Sequence, residues 1–581
     1  MNSPAEKASE ETLKKIYLAL DNGNSFRVEA GAGAGKTYSL IKALHYLIEH
    51  KSAELQKGFQ RIACITYTNV ATEEIRNRID NHPSVFVDTI HGFCWSILQG
   101  FQAQMRAQIE LIGDEKLIEK IEDAGGLRKQ KIVYDLGYRS ATEKEIFIHH
   151  DNVIQLFTAL LSKEKFRSIL KNQYPIIFID EYQDTNEELG KAIISNLIES
   201  KSDMQIGLFG DHWQKIYENG IGGMVSVDIE EIGKKANFRS EKNLVKFLNR
   251  MRPGLPQMEK DPSSAGEVKI FHSNNWIGVR RDGKGGGHWT GDLPEAEAGN
   301  YFRAVKNKLI QEGWEFSFEK TKILMLTNSV LAREQGYSGI TKVFRFSDDY
   351  LKMQNKYIDY FVNILEPVSE SFSKKKYGEM LKAIGIRTPR LKNHSDKKVW
   401  NDSLSKLIKN RNSGTIGDVI DCLAETQKPR LSSKIEESEE KYSKLKDLTE
   451  FEDEADKKLV SKIKKLKSVK YSEVIELAKY IDDKTPFSTN HGVKGAEFEN
   501  VLVICGRGWN KYNWNQFLTW ANDGVPDDKK ESFERNRNLF YVSCSRPKKR
   551  LAVLFTQELS SSAMATLNKW FLPENIFPII I

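Results

Sequence analysis

The chain has 581 residues, 40% hydrophobic and 29% charged, with 87 basic and 80 acidic side chains and a formal charge of +7. That is an ordinary globular balance, long enough for about three or four domains. The composition excludes a collagen-like or disordered chain, and the small positive excess is compatible with a polyanion partner but weak evidence by itself. No stretch approaches the roughly 18 unbroken apolar residues a membrane span requires. The polar segment Met1–Glu11 lacks the apolar run of a secretory signal, so a cytoplasmic location is expected. The cysteines Cys64, Cys94, Cys422, Cys505 and Cys544 are scattered, which argues against a disulfide framework and against an iron–sulfur or zinc site.

In chain order, Phe26–Glu29 reads as a short strand. Ala30-Gly31-Ala32-Gly33-Ala34-Gly35-Lys36-Thr37 follows, and then a helix over Tyr38–Ile48 with Leu40, Ile41, Leu44, Leu47 and Ile48 at helical spacing. Ile62–Thr66, Ile176–Ile179 and Ile206–Phe209 are short apolar runs of the buried-strand type, each ending in small or polar residues. Ile323–Leu326, Val501–Ile504 and Leu551–Phe555 form a second set, which predicts a second α/β domain. Gln99–Gln173 and the Lys-, Glu- and Ser-rich Phe346–Asp483 interrupt the pattern and are expected to be mainly helical insertions. Their charge runs are read as solvated helix faces. Asn274–Asp292 is glycine-rich and expected to be a mobile loop.

Residues 30–37 have the spacing of a phosphate-binding loop, with Ala30 where the first glycine usually stands. Glycines let backbone N–H groups approach phosphate oxygens at the positive end of the next helix. Lys36 is expected to reach the β- and γ-phosphates and the Thr37 hydroxyl to ligate Mg²⁺. The apolar strand Ile176–Ile179 delivers Asp180 and Glu181 to the same crevice. Asp180 is assigned to the metal and Glu181 to orienting and deprotonating the attacking water.

The continuation Asp180-Glu181-Tyr182-Gln183-Asp184-Thr185 resembles the signature of superfamily 1A helicases of the UvrD/Rep/PcrA type. Six further motifs follow the family's order. They are Thr66–Asn69 with Ala71 and Arg76, Asp88–Phe93, Gly210–Tyr217, Asn237–Ser240, Thr489–Phe498 and Asn538–Arg546. The resemblance implies two RecA-like domains, 1A and 2A, each with a mainly helical insertion, 1B and 2B. Their limits are placed at 1–98, 99–173, 174–225, 226–345, 346–484 and 485–581. It also implies roles by position. Gln214 would sense the γ-phosphate or the attacking water. Arg239 and Arg546 would reach across from the second domain to the transferring phosphoryl group. Glu497 would contact the nucleotide, and Tyr38 and Phe238 would sandwich its base. Tyr67, Thr89, His91, Tyr217, Thr489 and His491 would face DNA. His91 and Cys94 alone make no metal site, and His149-His150 is expected at a surface.

Four departures from the family pattern matter. No Gln precedes Gln56, so the residue that reads the adenine edge in relatives is absent. Tyr217 is followed by Glu218-Asn219-Gly220-Ile221 and not by a Trp-Arg pair, so a stacking platform is expected to be missing. Val70 stands where relatives often carry Lys. Both insertions are short, and the 35 residues after Arg546 are too few for a fused nuclease; the apolar ending Phe577–Ile581 is expected to pack on its own domain.

The implied activity is DNA-dependent ATP hydrolysis with 3′-to-5′ movement on single-stranded or tailed DNA. Compact chains of this kind also resemble the B subunit of two-gene antiphage systems of the Gabija type, which work beside a separate nuclease, the Gabija A-like subunit. Rival readings are a nucleotide or DNA-end sensor that hydrolyses ATP but unwinds little, a regulatory subunit of a partner nuclease, and a small-molecule kinase.

Overall fold

The computed structural model describes residues 3–135, 139–282, 290–385, 393–448, 450–451, 453–506 and 511–580. Two all-parallel sheets organise the chain. The first runs in the order β3-β2-β7-β8-β1-β9, with β1 Phe26–Ala30, β2 Ile62–Thr66, β3 Val85–Thr89, β7 Ile176–Asp180, β8 Gln205–Gly210 and β9 Glu230–Lys234. Every residue of β1, β2, β7 and β8 is buried. β2 and β7 read as near-continuous apolar runs, as strands covered on both faces do, whereas β1 carries Arg27 and Glu29 buried and paired within it. Helix α1 (Pro4–Asp21) is started by a capping box, with Ser3 and Glu6 satisfying each other's backbone N–H groups.

The second sheet runs in the order β14-β13-β15-β16-β12-β17, with β12 Glu267–His272, β13 Thr321–Met325, β14 Phe487–Thr489, β15 Phe498–Cys505, β16 Pro547–Phe555 and β17 Ile576–Pro578. The first sheet ends β1, β7 and β8 at Ala30, Asp180 and Gly210, the carboxyl edge at which open parallel sheets bind ligands. The C-terminal segment joins this sheet through the β12–β17 pairing, with Ile579 buried behind it.

Residues 99–173 are mainly helical, and β4 Lys131–Tyr134, β5 Ser140–Ala141 and β6 Glu145–Ile148 form a small mixed sheet beside the helices. The structure differs from the sequence reading in three places. A boundary at 225 falls before β9, which pairs with β1 in the first sheet over Phe26–Ala30. The core of the larger insertion starts before 346, since Ala332, Tyr337, Ile340 and Phe344 already belong to it. His149 and His150 are partly buried: His150 packs edge-on against His91, and its Nδ1 lies 2.5 Å from the Tyr134 hydroxyl. Residues 283–289 of the glycine-rich loop lie outside the described residues.

Candidate nucleotide site and DNA-facing cleft

The loop from β1 into α2 (Lys36–Lys57) turns through Gly33 and Gly35 at φ 76° and 73°, a left-handed conformation that glycine adopts without steric cost. A Cβ on Gly33 would stand 2.8 Å from the Arg239 Cβ, so the segment after β10 (Ala236–Asn237) packs directly on this loop. Phe238 N–H donates to the Gly33 carbonyl (2.8 Å), and the Asn237 amide donates to the Ala32 carbonyl (3.1 Å). From the far side, the Ala32 N–H donates to the Tyr541 hydroxyl at 3.1 Å.

Lys36 Nζ lies 2.5 Å from Glu181 Oε1 and 3.7 Å from Asp180 Oδ1. Burial drives the Asp180 carboxyl above the ordinary carboxylate range; Lys36 opposes this and Glu181 reinforces it. Burial also pushes Glu181 upward, but Lys36 and Lys494 more than offset it, so this carboxyl ends below its usual value. Asp180 Oδ1 is buried and accepts no hydrogen bond. A buried carboxylate oxygen without a hydrogen-bond partner is a donor suited to a hard divalent cation, and the partly buried Thr37 hydroxyl at the start of α2 is of the same hard-oxygen type.

Glu181 itself has φ 51°, an uncommon conformation for a non-glycine residue. The short 3₁₀ turn Tyr182–Asp184 and a 2.5 Å hydrogen bond from the Gln183 side chain to Glu181 Oε2 hold it there. The other end of that side chain, Gln183 Oε1, accepts from the Asp211 N–H at 3.1 Å. Gly210 permits this arrangement, because a Cβ there would stand 2.3 Å from Gln183 Oε1.

Of the two arginines singled out from sequence, Arg546 is 1% exposed and donates to Gln214 Oε1 at 3.2 Å. Burial, with Arg239 nearby, lowers its guanidinium to about 9. Gln214 donates in turn to Asp211 Oδ2 (2.8 Å). Arg239 donates to the Ser545 carbonyl (3.1 Å) and pairs with Glu497 (3.2 Å), which also holds Lys548 (2.5 Å). Tyr38 is exposed on the first turn of α2, under the amines of Lys42 and Lys234, and the Phe238 ring faces Gly35.

Sequence reasoning missed a second layer. Glu29, at the end of β1, accepts from the Tyr182 hydroxyl (2.6 Å), from His212 Nδ1 (2.7 Å) and from Arg252 Nη2 (2.8 Å), while Arg252 Nη1 reaches Asp211 Oδ1 (2.7 Å). Glu29, Asp211 and His212 lie close enough together to suggest a metal, yet the cation between the two carboxylates is the Arg252 guanidinium. Trp213 lies between Arg252 (4.9 Å) and Arg537 (4.3 Å). Lys234, fully buried on β9, donates to the Gly35 carbonyl at 2.9 Å and to Ser39 Oγ, and burial lowers its amine to about 7. A carboxylate in the short strand that leads straight into the glycine loop was the available signal for Glu29; a lone Arg or Lys carries none.

A cleft of about 1090 Å³ opens beside the acids, lined in part by Tyr67, His91, Asp180, Glu181, Asp184 and Tyr217. Tyr67 and Tyr217 are 45% and 40% exposed and stack at 5.8 Å with an interplanar angle of 19°. The Trp-Arg pair is absent, and Tyr217 stacks instead on Tyr67. His91 is lowered to about 4 by burial and by His150. The Thr89 hydroxyl accepts from the Gly92 N–H (3.2 Å), so it caps the helix Ile90–Leu98. Thr489 and His491 stand on the second body. The Thr489 hydroxyl accepts from the Gly492 N–H (2.9 Å), and His491 Nε2 lies 3.0 Å from the Tyr512 hydroxyl.

The chain is similar to known proteins over most of its length. The model of the UvrD/REP helicase N-terminal domain matches residues 11–136 and 122–219, and that of the UvrD-like helicase C-terminal domain matches residues 318–558. Gabija protein GajB of Bacillus cereus (strain HuB5-5) is 26% identical over 96% of this chain and 96% of its own length. A probable DNA helicase II homolog of Mycoplasma genitalium is 23% identical over 92% of this chain and 83% of its own. The ATP-dependent DNA helicase UvrD1 of Mycobacterium leprae is 36% identical over 20% of this chain and 14% of its own.

Proposed function

Because the chain belongs to the UvrD-like helicase family and is an ATP-dependent DNA helicase, we propose that it moves 3′ to 5′ on single-stranded DNA and serves in antiphage defence beside a separate nuclease. The observation that carries the motor reading is the convergence of Lys36, Asp180 and Glu181 with the Gln214–Arg546 pair, whose members lie 332 residues apart. In this reading Lys36 leaves Glu181 for the β- and γ-phosphates when nucleotide enters. The freed Glu181 carboxylate accepts a proton from the attacking water, and Gln214 orients that water. Arg546 and Arg239 stabilise charge on the transferring phosphoryl group. Thr37 and Asp180 would hold a Mg²⁺ ion, which when bound would neutralise phosphate charge. Glu497 is assigned to the nucleotide, and Tyr38 and Phe238 to its base. A stacked base tolerates changes of edge pattern, which suits a chain without an upstream adenine-reading Gln.

Tyr67 and Tyr217 are assigned to base stacking, the sequence-tolerant way to hold a single strand. Thr89, His91, Thr489 and His491 are assigned to the strand path. The nuclease partnership rests on the near full-length similarity to Gabija protein GajB. The test is phosphate release with and without single-stranded DNA, using Lys36→Ala as the blank, followed by unwinding of duplexes tailed at either end. DNA-stimulated release with unwinding from a 3′ tail supports the reading; unwinding from a 5′ tail alone sinks the polarity. Hydrolysis without unwinding favours the second reading, a sensing subunit that regulates its partner.

A further inference from the structure

Lys494, on the loop after β14, reaches from the second body into the first. Its ammonium pairs with Asp184 Oδ2 and lies 5.2 Å from the centroid of the Tyr217 ring. Asp184 closes the 3₁₀ turn that begins after Glu181, and its N–H donates to the Glu181 carbonyl at 2.9 Å. The Asp184 side chain is 1% exposed, and its other oxygen is buried without a hydrogen-bond partner. Tyr217 stacks on Tyr67, the exposed ring of the DNA-facing cleft. One ammonium thus joins the turn that carries the hydrolytic carboxylate to the aromatic pair.

We propose that Lys494 is a positioning residue that transmits occupancy of the Tyr67–Tyr217 stack to Glu181, so that DNA engagement and closure of the two bodies together set the hydrolytic geometry. This rests on the motor reading above. A base stacked on Tyr67 fixes the Tyr217 ring, the ring fixes the ammonium that lies against it, and the ammonium fixes Asp184. Asp184 in turn holds the strained turn in which Glu181 sits at φ 51°. Without Lys494 the buried Asp184 carboxylate loses its nearest counter-charge and the turn loses its anchor. The alternative, a direct phosphate contact, requires the ammonium to face the strand. It is instead engaged by Asp184 and the ring, and its side chain is 11% exposed.

The experiment compares wild-type, Lys494→Met and Lys494→Arg chains by phosphate release across a titration of single-stranded oligonucleotide, with affinity read separately by fluorescence anisotropy. For Lys494→Met, turnover at saturating DNA is expected to fall about ten-fold or more, with half-saturation and affinity shifted by less than about three-fold. Lys494→Arg recovers most of the turnover, because a guanidinium also pairs with a carboxylate and stacks on a ring. Asp184→Asn shows the same loss, and adding it to Lys494→Met costs little more, as expected for one coupled unit. It also supplies the test if Lys494→Met fails to fold. Overturning results are a Lys494→Met chain with intact saturated turnover, one whose defect lies in DNA affinity alone, or losses that add in the double variant. A wild type that ignores DNA overturns the motor reading itself; a wild type that responds beside an equally responsive variant overturns only the role of Lys494.

Discussion

The proposed nucleotide site and the proposed DNA-facing cleft are neighbours, sharing Asp180 and Glu181, yet they are built on opposite terms. Around the nucleotide loop the charged groups are buried and interlocked: Glu29 and Asp211 share Arg252, Asp211 holds Gln214, and Gln214 holds Arg546. In the cleft the aromatic surface is a pair of half-exposed rings with one ammonium against them. A buried charge that loses its partner is costly, so every member of the first network constrains the others. An exposed stacking ring tolerates change in its surroundings. Departures from the family pattern fall on both sides, Val70 and the lost Trp-Arg pair in one, Ala30 and the missing upstream Gln in the other, while the loop lysine and the two acids are kept.

The comparison can be broken or sharpened by substitution. Glu181→Gln should carry the largest effect. Phosphate release falls about 10²–10⁴-fold, the range for removing a general base, while nucleotide and DNA binding persist. Residual hydrolysis near wild type would remove Glu181 from that role. Arg252→Ala leaves Glu29 and Asp211 buried without their shared cation and should destabilise the chain by about 3–5 kcal/mol, read as a lowered unfolding midpoint. An unchanged midpoint would mean that the interlocked network does not hold the two bodies together.

A smaller effect separates the two regions by pH. Burial lowers the Lys234 amine to about 7, against an ordinary lysine value near 10.5. Below pH 7 both folded and unfolded chains carry the proton, and the folded state bears the full penalty of a buried charge. Between about pH 7 and 10.5 the unfolded chain binds a proton that the folded chain does not, so this group's contribution improves as pH rises. Relative to Lys234→Met, the wild type should gain roughly 2 kcal/mol of stability from pH 7 to 9. Parallel curves for the two proteins would contradict the burial argument. On the DNA side, Tyr67→Ala should weaken single-strand binding by about 1–3 kcal/mol, with Tyr67→Phe near wild type. Equal losses for both would point to the hydroxyl and away from stacking.

Much of the nucleotide site was legible because its parts are local. A strand, a glycine loop and a helix start are contiguous over Phe26–Thr37, and β7 runs straight into Asp180-Glu181. Most strand runs were equally legible, since burial on both faces leaves near-unbroken apolar stretches in β2, β7 and β13. The domain edges were harder. β9 and the start of the larger insertion's core carry no long apolar run, so only strand pairing and packing place them. The small sheet in the first insertion was hidden for the same reason: its strands are two to four residues long, too short to show a period.

By itself the sequence determined the two parallel sheets, the phosphate loop, the paired acids and the family. Each of these is written in neighbouring residues whose backbone conformation or periodicity is local. Only the tertiary structure decided that Arg252 closes on Glu29 across 223 residues and Lys494 on Asp184 across 310. It also decided that Tyr217, lacking its usual successors, stacks on Tyr67. The physical reason is that a lone Arg, Lys or Tyr has no local signature. Its partner is selected when two sheets dock and the charges buried between them must be matched.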